Sequence, residues 1–174
     1  MIVTGDHVGT HIDALYHVGN KGVLYDGIDA AEACKGGHFN VLGAETIEPM
    51  VCRGVFLDIP ALKGTTRLEP VAYLGEATGV PGVGESGGKW SASHGVRATG
   101  GDTIAFDRVQ LGPNFKQRPC HGIFLWENGI HIIEVMDLEE LSREKVKEFL
   151  FILSPLKLFG ATGSPVRPLA VVNV

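Results

Sequence analysis

Three of the chain's seven histidines and one aspartate fall between positions 7 and 17, at His7, His11, Asp13 and His17. Imidazole and carboxylate together form the usual ligand set of a borderline divalent cation. Zinc comes first, and manganese and iron tolerate the same donors. Gly9 and Thr10 weaken a helical reading, so the stretch is expected to be extended. Side-chain alternation then puts His7, His11 and Asp13 on one face, a three-ligand cup made by a single piece of backbone. Three protein ligands leave a position for water, which is the arrangement of a catalytic site. A lone histidine is ordinarily a satisfied surface or core residue, but four such groups at this spacing point to a metal site.

His17, four residues beyond Asp13, is either a ligand of a second metal or a general acid/base, since imidazole titrates near neutrality. Farther along, His121 and Glu134 are the next polar pair of interest. On residue type alone, Glu134 could simply be the charge that ends a buried strand. The remaining histidines carry less: His38 sits in a glycine turn, His94 in a helix cap, and His131 alternates away from Glu134 along its strand. Asp102 follows a glycine pair and reads as a turn former.

The elements that must position these groups are short. Asp29 to Cys34 is a helix candidate ended by Gly36 and Gly37, and Gly54 to Ile59 an apolar strand before Pro60. Residues 61–89 read as loop, with helix near Lys89 to Ser93 closed by a left-handed Gly95. Val96 to Thr99 and Thr103 to Phe106 are strand fragments, and Gly129 to Glu134 is a strand. Asp137 and Glu140 resemble a capping box, opening a helix with Leu138, Leu141, Lys145, Val146 and Phe149 on one stripe. Phe149 to Leu153 and Leu169 to Val174 read as strands. The pattern implies a mixed α/β chain rather than a doubly wound parallel sheet. No glycine-rich nucleotide loop opens a helix, so no nucleotide cofactor is indicated.

Composition sets the outer limits. The 174 residues, 44% of them hydrophobic, suit one domain over 1–174 with a sizeable core. Twenty-four glycines, well above the average of about 7%, are scattered without a repeat and imply many turns. A net charge of −5 with no basic run argues against nucleic acid. No apolar stretch reaches the roughly 18 residues of a membrane span, and no signal-peptide pattern opens the chain. Three cysteines (Cys34, Cys52 and Cys120) without a pairing pattern read as reduced thiols, which with the missing leader implies a cytoplasmic protein. Cys120, beside His121, is expected to be a small buried residue.

The motif His-x-Gly-Thr-His-x-Asp-x-x-x-His, spanning His7 to His17, resembles the signature of the metal-dependent cyclase/hydrolase family that includes kynurenine formamidase and isatin hydrolase. Asp102-Thr103, the stretch His121 to Glu134, and Pro155 to Pro168 follow in that family's order. The resemblance implies a mixed-sheet domain like the swivelling β/β/α fold of that family. It implies His7, His11 and Asp13 on a first metal, and His121 with Glu134 on a second. His17 would have an acid/base or second-site role. The reaction implied is hydrolysis of a small amide (a formamide, a cyclic amide or a lactone-like compound) by metal-activated water, in a homo-oligomer with two zinc or manganese ions per chain. Three features depart from the family pattern. The motif begins at residue 7, the region between Leu68 and Tyr73 is short, and the His121–Glu134 spacing is one residue longer than the family's, near Trp126 or Glu127. They leave a second reading, a shortened and catalytically silent metal-binding or subunit-interaction protein.

Overall fold

A computed structural model describes residues 1, 3–65, 70–75, 79–109 and 118–172. Its centre is a mixed four-stranded sheet built from β1 (His11–Asp13), β5 (Ala98–Gly100), β6 (His131–Glu134) and β8 (Gly163–Pro165). The strand order is β5-β6-β1-β8; β5 runs parallel to β6, and the other two pairings are antiparallel. A second sheet is wholly antiparallel, with β7 (Glu148–Leu153) between β4 (Met50–Val55) and β9 (Leu169–Val171). A small hairpin joins β2 (Cys34–Lys35) to β3 (His38–Phe39). The chain is thus mixed α/β with mixed sheets.

Alternation along β6 divides the core. Ile132 packs with Phe106, Ile123, Phe124, Leu125 and Ile130 on one face. Ile133 packs on the other with Ile12, Ile47, Met50 and Leu153. Each such buried side chain contributes about 1.5–3 kcal/mol relative to leaving it in water. Because residues two apart share a face, Glu134 lies on the side of Ile132, and His11 and Asp13 lie opposite Ile12. The first of these faces therefore carries the chemistry.

Helices are short: α1 (Ala30–Ala33), α2 (Ile59–Leu62), α3 (Pro70–Leu74), α4 (Glu85–Ala92), α5 (Pro119–His121) and α6 (Glu139–Arg143). Asp29 caps α1, accepting from the Ala31 and Glu32 N–H groups, as its residue type suggests. Gly95 closes α4 at φ +66°, and His38 and His94 are exposed as expected. Asp102 is exposed, its carbonyl accepting from the Tyr73 hydroxyl. The cysteines are free, with Cys120 fully buried. No described helix is long and apolar enough to cross a membrane.

Several expectations are corrected. The strand expected at Gly54 to Ile59 lies earlier, at Met50–Val55, and Ile59 opens α2 with Pro60 in its first turn. The 61–89 loop contains α3 and the start of α4; residues 66–69 and 76–78 lie outside the described residues. Thr103 to Phe106 is a turn, not a strand. The helix after Asp137 stops at Arg143, with Leu138 at its N-cap, while Asp137 accepts from the Glu139 N–H. Phe149 belongs to β7, where six residues pair with β4; that long ladder overrides the helical stripe. β9 ends at Val171, and Asn173 and Val174 lie outside the described residues.

Asp58 ties two of these helices together. One carboxylate oxygen accepts from Ala61 N–H in α2 and the other from the Ser142 hydroxyl of α6. The Ser142 hydroxyl first, and then the Ala61 N–H, hold the carboxyl below its ordinary pKa. A depressed carboxyl stabilises the fold above its unfolded pKa, and the contribution disappears as pH falls through the folded value. Asp58→Ala is expected to lower Tm at neutral pH, with the gap to wild type closing below about pH 4. Thermal melts across a pH series check this.

Candidate metal centre

β1 delivers two of the four motif residues by simple alternation: His11 and Asp13 face one way while Ile12 enters the core. The strand covers only His11–Asp13, so the extended reading of the whole stretch is too long. His7 reaches the centre through a bend. Gly9, at φ +61°, allows the reversal, and its carbonyl meets His11 Nδ1 at 2.8 Å. A 3₁₀ turn at Leu15–His17 folds the chain back, so the His17 ring lies 4.3 Å from that of His7. Gly163 on β8 leaves room for His7: a Cβ there would lie 2.8 Å from the ring's Cε1.

The downstream pair arrives on two other elements. Glu134 stands opposite His11 in the β1–β6 register. His121 ends α5 and leads into a π-helical turn at Gly122–Glu127. Such wide turns accommodate one additional residue. Trp126 and Glu127, where the family resemblance implies an extra residue, lie in this turn.

All six expected residues converge. His7 Nδ1 lies 3.0 Å from Asp13 Oδ1, and His11 Nε2 lies 3.5 Å from the same oxygen and 3.3 Å from Glu134 Oε2. His121 Nε2 is 3.6 Å from Asp13 Oδ2 and 3.5 Å from Glu134 Oε1. The donors form two metal-sized groups, His7–Asp13–His17 and Asp13–His121–Glu134, with the atoms of each within 4.8 Å of one another. Asp13 belongs to both, and His11 stands between them. His17 groups with His7 and Asp13 beside the expected trio of His7, His11 and Asp13, in which both rings face Asp13 Oδ1. His131 is directed elsewhere, its Nδ1 2.9 Å from the Asp13 carbonyl oxygen.

The electrostatics are those of a site built around positive charge. His11 Nε2, both Asp13 oxygens, His121 Nε2 and Glu134 Oε1 are buried without a hydrogen-bond partner. A buried polar atom left unpaired costs about 1–3 kcal/mol, more if charged, so five converging on one spot fit a cation. Burial works to raise Asp13, but the contact with His7 and the charges of His17 and His121 hold its pKa below the usual carboxylate value. Burial works to lower His11, yet Glu134, the Gly9 carbonyl and Asp13 raise it above ordinary imidazole.

Second ring nitrogens fix which lone pairs point inward. His11 Nδ1 is directed at the Gly9 carbonyl, and His7 Nε2 lies 2.8 Å from the Thr162 hydroxyl oxygen. That hydroxyl donates to Asp6 Oδ2, which leaves its oxygen to accept from His7. His121 Nδ1 faces Asp107 Oδ2 at 2.5 Å. Neither Asp6, Thr162 nor Asp107 was legible as a site residue, because each acts through a contact made only by folding. His17 has no ring hydrogen bond among the described residues.

Both sequence and structural likenesses to known proteins are found. The Cyclase family model matches residues 1–72. Kynurenine formamidase from Geobacillus thermodenitrificans is 29% identical over 176 residues, covering 95% of this chain and 76% of that protein. The crystal structure of a novel cyclase superposes with a TM-score of 0.76 at 25% identity, covering 99% of this chain and 72% of the other. The chain resembles cyclase-family proteins in sequence and in fold. An isatin hydrolase bound to the product analogue thioisatinate shares the fold at 22% identity, with a TM-score of 0.61 and coverage of 98% and 73%. The histidine motif lies inside the matched residues 1–72, whereas His121 and Glu134 lie beyond them.

Proposed function

We propose that the chain is a metal-dependent hydrolase of a small amide: a formamide, a cyclic amide or a lactone-like compound. The convergence of five unpartnered buried atoms from His11, Asp13, His121 and Glu134 carries this reading. The kynurenine formamidase relative and the isatin hydrolase of like fold support the substrate class. His7, His11 and Asp13 would hold a first ion, and His121 and Glu134, with Asp13 close by, a second. Zinc or manganese bound there supplies Lewis acidity, easing the ionisation of water and stabilising charge on the substrate's carbonyl oxygen.

His17 moves the proton. Its ring has no anchoring hydrogen bond among the described residues, unlike those of His7, His11 and His121. Burial lowers its pKa, reinforced by the charges of His7 and His121 and opposed by Asp13 and Glu134, a balance that favours a ring able to accept a proton. It then takes a proton from the attacking water and gives it to the departing nitrogen. The grouping of His17 with His7 and Asp13 favours a competing role as ligand.

Protein purified without added metal or chelator is expected to carry about two metal equivalents per chain by elemental analysis. Chelation should abolish hydrolysis of N-formyl aryl amines and cyclic amides and lower Tm, both restored by readded metal. A folded, metal-loaded chain inert on every such substrate would support the silent binding protein instead. We propose further that the chain acts in the cytoplasm as a homo-oligomer. Exposed Val51, Val55, Leu150 and Val171 on the β4-β7-β9 sheet support self-association.

A further inference from the structure

Asp107 is fully buried, yet it belongs to neither group of candidate ligands. It is held by a bridge to Val83, where Arg108 N–H donates to the Val83 carbonyl and Val83 N–H to that of Phe106. Its Oδ1 accepts from Cys120 N–H at 2.6 Å, and its Oδ2 from His121 N–H at 3.1 Å. Those two bonds satisfy the opening of α5. A helix cap has no need of the third, from Oδ2 to His121 Nδ1. A carboxylate can only accept, so this contact puts a proton on Nδ1 and leaves the Nε2 lone pair facing Asp13 and Glu134.

We infer that Asp107 is the positioning residue of the second metal subsite: it selects the tautomer and ring orientation of His121. The inference rests on the proposed metal centre for its consequence, but its geometry is independent of any ion. Asp107→Asn separates positioning from capping. The amide can still accept one backbone N–H, but its NH2 cannot accept from Nδ1 when turned toward His121. If the oxygen turns that way, Cys120 N–H meets a donor.

The test combines competition against a chelator with 15N spectra of the histidine rings. Wild type is expected to bind two zinc ions, and Asp107→Asn to lose about 10–100-fold in affinity at one equivalent while keeping the other. Circular dichroism at the same temperature must show both proteins folded. The second measurement needs no variant. In metal-free wild type at alkaline pH, where imidazole is neutral, His121 is expected to carry its proton on Nδ1; after zinc loading it should be bound through Nε2. A proton on Nε2, binding through Nδ1, or unchanged affinity at both equivalents in folded Asp107→Asn would overturn the inference. Wild type that binds no metal but keeps the Nδ1 proton would sink the proposed hydrolase and overturn the metal-subsite role of Asp107, leaving only its hold on the His121 ring.

Discussion

Asp13→Asn is expected to lose both metal equivalents and, with them, all measurable hydrolysis. The carboxylate is fully buried and is the one residue common to the two donor groups, with separate oxygens facing His7 and His121. An amide keeps the volume but removes the negative charge and replaces one acceptor with a donor. Three neighbouring imidazoles then meet a neutral group. Elemental analysis should read near zero, with the far-ultraviolet spectrum of wild type retained. Retention of one tightly held equivalent would mean that Asp13 does not bridge.

His17→Ala is expected to keep its metal and lose turnover by about 10²–10⁴-fold, the usual contribution of a positioned acid/base group. The loss should fall on kcat, because the residue acts on the proton and not on substrate affinity. A substrate whose leaving group needs no protonation should recover much of the rate. Loss of one metal equivalent would assign His17 to the ligand set. Full activity with metal retained would remove it from the proton path.

The site was legible where its logic is local. His11 and Asp13 needed only strand alternation, and His121 and Glu134 could be found through the family's order of segments. Asp107 could not, since it sits after a turn at Ile104 and Ala105 and reaches His121 only through tertiary contact. Asp6 and Thr162 are hidden for the same reason, being 156 residues apart. Among the elements, Phe149 satisfies both a helical and a strand period, and pairing with β4 decides between them. Turn residues alone could not tell that Thr103 to Phe106 bends, although Gly95 was readable because a left-handed cap is a single-residue property.

The wide separation of His7 from its Thr162 support, 155 residues along the chain, also orders events in time. At a synthesis rate of roughly 5–20 residues per second, the histidine-motif side chains precede Glu134 and Thr162 by several seconds or more. If the motif binds metal as proposed, it would during that interval be an open set of donors subject to the Irving–Williams order, which favours copper over zinc or manganese. The carboxylate of Glu134 and the fixed His121 ring arrive later, bringing the harder donors and the constrained geometry that work against copper. A metal held as proposed would therefore meet its full set of donors only after Thr162 has come to support His7.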